Sequence, residues 1–199
     1  MAAQGGHTDC VQLLFDANAD INARSIEGSS ALVWAALNPR PDCAQRLIDL
    51  KADLELKNMN GNTALLCAAI VGSGESLQRL VNANAALDAT DNHGGTALMH
   101  AAGGNDAACA ERLIDAGADI DAEDNGGRTA LLCAAAEGYT ECVQLLVDAK
   151  AALDAVDNEG NTALMLAAGG ESSACVRLLL ELAHDAFSTR TSKKRKFEQ

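Results

Sequence analysis

Aromatic residues are nearly missing from this sequence: one Trp, one Tyr and three Phe make up 3% of its 199 residues. A core without them is built from Ala, Leu, Val and Ile, which favours closely packed small helices over a sandwich or barrel fed by aromatic strands. Proline is as scarce, at two residues, yet 48% hydrophobic and 22% charged residues is not a disordered composition. No apolar run approaches the roughly 18 residues of a membrane helix, and the start MAAQGGHTDC has no basic stretch followed by an apolar one. Membrane spanning and secretion are therefore not expected. The seven Cys are an odd number without the spacings of a disulfide framework, so an intracellular, reducing location, cytoplasmic or nuclear, is the expectation.

Positive charge is also short, with 15 basic against 28 acidic residues and a net charge of −13. Such a body repels nucleic acid and anionic membranes, so no nucleic-acid partner is expected for it. The sign reverses at the end. In residues 188–199 five basic residues face one acid, which gives +4 and leaves −17 on the rest.

What the chain has is repetition. Ser30-Ala31-Leu32, Thr63-Ala64-Leu65, Thr96-Ala97-Leu98, Thr129-Ala130-Leu131 and Thr162-Ala163-Leu164 recur every 33 residues, each two residues after a Gly and followed by an Ala pair. A fixed period without insertion predicts a solenoid. In residues 124–156, Asp124-Asn125-Gly126-Gly127 is turn chemistry, and Thr129 stands where a helix N-cap belongs. The pattern predicts a short helix over Ala130 to Glu137, a left-handed cap at Gly138 and a second helix over Glu141 to Ala149. One such hairpin buries too little to stand alone and must stack on copies of itself.

These residues resemble the ankyrin repeat over nearly the whole chain, with GRTALLCAAAEGYTECVQLLVDAKAALDA fitting its pattern throughout. The resemblance implies an all-α ankyrin-repeat solenoid of stacked helix-turn-helix units joined by β-hairpin-like loops, over residues 1–187. A partial unit spans 1–24, full units span 25–57, 58–90, 91–123, 124–156 and 157–187, and a basic tail spans 188–199. The chain departs from the family in having Ala for Pro at 31, 64, 97, 130 and 163. Val33, Leu66, Met99, Leu132 and Met165 replace its His, so that the hydrogen bonds His makes there are expected to be absent. Between the paired helices, Gly6, Gly72 and Gly138 alternate with Pro39, Asn105 and Glu171, and Pro39 demands a rebuilt loop. TALLCAA at 63 and 129 alternates with other versions, which suggests growth by duplication of two units at a time. The first unit lacks its turn and most of its first helix, so an unpartnered apolar edge that frays is expected there.

Candidate chemistry is sparse. Cys10, Cys43, Cys109, Cys142 and Cys175 share one second-helix position, with Ser76 in the remaining unit. A helix spacing of about 8–10 Å exceeds the ~7 Å that a disulfide tolerates, so they read as buried apolar groups. The same spacing argues against a zinc site at Cys67, His100 and Cys133. No phosphate loop, GxSxG or HExxH occurs; Asp91, Asp124 and Asp157 read as turn residues, and no catalytic, metal or cofactor site is expected.

The expected activity is non-enzymatic, a scaffold or adaptor binding a protein partner. In ankyrin proteins partners lie against the hairpin tips and first helices, and at those positions large apolar residues cluster: Ile26, Leu37, Met59, Ile70 and Val71, with His93 beside them. Trp34 is expected to pack between units. Arg46, Arg79 and Arg112 form a second candidate, a basic stripe on the second helices, unless their heads turn to acidic neighbours. Lys193, Lys194, Arg195 and Lys196 resemble a nuclear-localisation signal for an import receptor, with a self-shielding tail as the other reading. The alternative for the whole chain is the recognition part of a longer protein whose other segment carries the activity.

Overall fold

The structure is a computed structural model that describes residues 2–170 and 172–182. The basic tail and Glu171 lie outside the described residues. Helices α1 (Ala2–Gly5) and α2 (Thr8–Asp16) form the partial first unit. Five helix pairs follow: α3 (Ala31–Leu37) with α4 (Pro41–Asp49), α5 (Ala64–Ile70) with α6 (Gly74–Asn82), α7 (Ala97–Gly103) with α8 (Ala107–Asp115), α9 (Ala130–Glu137) with α10 (Thr140–Asp148), and α11 (Ala163–Gly169) with α12 (173–182). Among the described residues no strand forms, and one isolated bridge joins Val156 to Thr162.

Each first helix starts as its sequence dictates. The hydroxyl oxygens of Ser30, Thr63, Thr96, Thr129 and Thr162 each accept the N–H three residues on, at 3.3–3.4 Å. In one unit the cap is reciprocal, because Met99 Sδ accepts the Thr96 N–H at 3.5 Å. Gly138 ends α9 with φ +74°. Asn105 takes the same left-handed turn at φ +58°. At Pro39 the loop is rebuilt: α3 ends in extended Asn38, and Pro41 opens α4 at a position where no N–H is needed. The second helices end at another recurrent left-handed position, filled by Asn18, Lys51, Asn84, Gly117 and Lys150.

Helices this short are unstable alone, so packing holds them. First helices stack in one layer, α3 on α5, α5 on α7 and onward, and second helices stack behind them. The Ala pairs at 35–36, 68–69, 101–102 and 134–135 are buried where the layers meet. Leu47, Leu80, Leu113 and Leu146, one per unit, are at most 1% exposed, each worth about 1.5–3 kcal/mol of burial. Leu14 holds the same register position in the first unit and is 53% exposed.

The loops form a third layer. In four of them an Asp or Asn oxygen accepts two backbone N–H groups, as Asp124 Oδ1 does from Gly126 at 2.7 Å and Arg128 at 2.8 Å, and in the first Ser25 Oγ accepts those of Glu27 and Ser29 at 3.2 Å. Successive tips are tied together: the Asn92, Asn125 and Asn158 N–H groups donate to the carbonyls of Asn60, His93 and Gly126 at 2.9–3.0 Å. At the far end of the loops Glu55, Asp88 and Asp121 accept the N–H of Ala86, Asp119 and Ala152 in the next unit, at 2.8–2.9 Å. A carboxylate in each of three successive units thus satisfies a backbone donor of its neighbour, which ties the stack together.

Candidate protein-binding groove

Between the tips and the first helices runs a groove, and the side chains of both elements set its character. At one end stand Ile26 and Met59 on the tips, 98% and 69% exposed, with Ile70 and Val71 at the end of α5, 45% and 39% exposed. Leu37, at the matching end of α3, is half-buried against the core and does not join that exposed row. Trp34 lines a cavity of about 310 Å³ together with Ala2, Val11 and Phe15 of the partial unit, so it packs toward the first unit.

Farther along, the groove becomes polar. A cavity of about 420 Å³ opens between Ile70, His93, His100, Arg128, Cys133 and Glu137. A second, of about 410 Å³, continues past Asp124, Arg128, Asp157 and Glu159. His93 is exposed, and its N–H donates to Asp91 Oδ1 at 2.8 Å. His100 Nε2 meets Asp91 Oδ2 at 2.8 Å. Burial acts to raise the Asp91 carboxyl, but the N–H groups of Gly95 and His93 and the His100 ring outweigh it and hold it below its ordinary value. Asp91 is therefore a fixed negative charge in the groove floor.

The cysteines offer no nucleophile here. Burial pushes the Cys67 thiol up to about 12 and Cys133 to about 11, far from the thiolate that reaction requires. Cys43, Cys109, Cys142 and Cys175 are buried in their second helices, and Cys10 is exposed on α2. Among the described residues no group of three acidic, His or Cys side chains is placed to hold a metal ion.

The arginine line is partly neutralised. Arg79 donates to Glu75 at 2.7 Å and to Asp42 at 3.1 Å. Arg112 donates to Gln78 Oε1 at 3.0 Å, while Arg46 is exposed. Two features of the site were not foreseen from the residues: the Asp91–His100 pair and the carboxylates that cap neighbouring loops. The second had a signal, since Glu55, Asp88 and Asp121 stand 33 residues apart.

Comparison with known proteins agrees with this architecture. The family of ankyrin repeats matches in three copies, over residues 1–58, 32–124 and 104–190. Among solved structures, the crystal structure of the ankyrin repeat protein EF0377 superimposes with a TM-score of 0.83 at 29% sequence identity, covering 90% of this chain and 94% of that one. No curated protein matches the chain.

Proposed function

The chain belongs to the ankyrin-repeat family, and from that membership we propose that it is a non-enzymatic scaffold holding a protein partner in the groove between its tips and first helices. Ankyrin repeats are generally protein–protein interaction modules. The observation that carries the reading is the row Ile26, Met59, Ile70 and Val71, apolar side chains left exposed on two adjacent units with His93 next to them. Leaving such a patch in water is unfavourable, and contact sites are its usual explanation. A stack whose units are locked by hydrogen bonds also loses little conformational entropy when a partner docks.

No helix among the described residues is long and apolar enough to cross a membrane. The proposed location is intracellular, cytoplasmic with access to the nucleus through Lys193, Lys194, Arg195 and Lys196, which would be offered to an import receptor. The test compares proteins captured by the wild-type chain, by an Ile70→Glu, Val71→Glu variant and by a Glu111→Arg variant on the outer helices. Helicity and melting temperature are checked for all three. The groove reading expects a protein lost only with the first variant; identical captures by all three would refute it.

A further inference from the structure

We propose that the chain's own residues 193–197, Lys193-Lys194-Arg195-Lys196-Phe197, dock in this groove and compete there with other occupants. The inference rests on the reading of the groove as a docking surface and adds the chemistry of one occupant. Its basis is complementarity of charge and of order. The polar stretch of the groove is lined by the carboxylates of Asp124, Glu137 and Glu159, with the largely buried Asp91 and Asp157 in its floor, against one guanidinium, Arg128. Four consecutive basic residues match that imbalance.

The order along the groove matches as well. Running back from the last unit, it presents Glu159 and Asp157, then Glu137 and Asp124, then Asp91, and only then the exposed Ile70 and Val71. A segment entering from the C-terminal side meets the acids first and the apolar surface last. The sequence has four cations first and Phe197 after them. The reach suffices: the 11 residues from 182 to 193 span roughly 36–40 Å when extended, against about 30 Å for two units stacked at 8–10 Å and one crossing of similar width from the second-helix layer to the groove. A tether of this length supplies an effective concentration on the order of millimolar, so even weak contacts fill the site. With the basic run held on the acids, it is withheld from an import receptor until a groove partner displaces it.

The test uses a fluorescent peptide of residues 188–199 and three full-length proteins: wild type, a tail variant with Lys193→Gln, Lys194→Gln, Arg195→Gln and Lys196→Gln, and that variant with Glu137→Lys and Glu159→Lys added. In low salt the peptide is expected to bind the tail variant, about tenfold or more weakly to wild type, whose site is already filled, and as weakly to the protein with reversed groove charges. Added salt should weaken the binding, and a Phe197→Ser peptide should bind severalfold less well. Equal binding to wild type and tail variant, equal binding after the Glu reversals, no effect of Phe197→Ser, or no binding at all would overturn the proposal. If Glu137→Lys or Glu159→Lys lowers the melting temperature, the Gln substitutions replace them. Loss of the peptide alone, with a captured protein still sensitive to Ile70→Glu and Val71→Glu, would sink tail docking and leave the scaffold reading standing.

Discussion

His100 Nε2 lies 2.8 Å from Asp91 Oδ2, which joins a first helix to the turn that precedes it in the same unit. Asp91 also accepts the N–H groups of His93 and Gly95 through its other oxygen. Its carboxyl is therefore held below its ordinary value in the folded chain. A group of that kind contributes stability that is present above its unfolded pKa, near 3.9 for Asp, and lost as pH falls through the lower folded value. Asp91→Asn keeps an acceptor for the turn but loses the charge. Melting curves from pH 7 to 3 should show the variant about 1 kcal/mol less stable at neutral pH, with the gap closing below about pH 4.

Leu14 and Leu47 are the same residue at the same register position in successive units, and their exposures are 53% and 1%. Leu47→Ala opens a hole in the core and should cost about 2–5 kcal/mol in urea unfolding. Leu14→Ala should cost less than about 1 kcal/mol, because most of its surface is already in water. Hydrogen exchange should likewise find α2 opening before α4. Equal costs for the two substitutions would show that the first unit is covered in solution.

Ser76 stands in α6 where the other full units have Cys43, Cys109, Cys142 and Cys175, and its buried hydroxyl has no hydrogen-bond partner among the described residues. A buried donor without a partner is destabilising, whereas a thiol there behaves as a small apolar group. Ser76→Cys should stabilise the chain by about 1 kcal/mol, raising the melting temperature by about 2–4 °C. Calorimetry beside Ser76→Ala, which also removes the hydroxyl, checks that the gain comes from the lost orphan and not from the sulfur.

The 33-residue period determined the fold by itself, because a local code was repeated at every step. Thr or Ser caps, Ala pairs and turn residues specify helices that cannot stand singly, and stacking is the one arrangement that buries their apolar faces. The helix over Ala130–Glu137 and the left-handed Gly138 stand where the residues place them, and α10 starts one residue earlier than its pattern suggests. Long-range placement was out of reach, for three physical reasons. Leu37 and Ile70 occupy matching helix ends, and only tertiary packing leaves one half-buried and the other exposed. Arg79 carries the same charge as Arg46, but only the stack brings Asp42 of the preceding unit to it. Asp91 reads as a turn residue from its neighbours in sequence, and only the fold turns His100 onto its second oxygen and makes it part of the groove. Local hydrogen bonds and periodicity are written along the chain, whereas exposure and charge partnership are decided by what the neighbouring units cover.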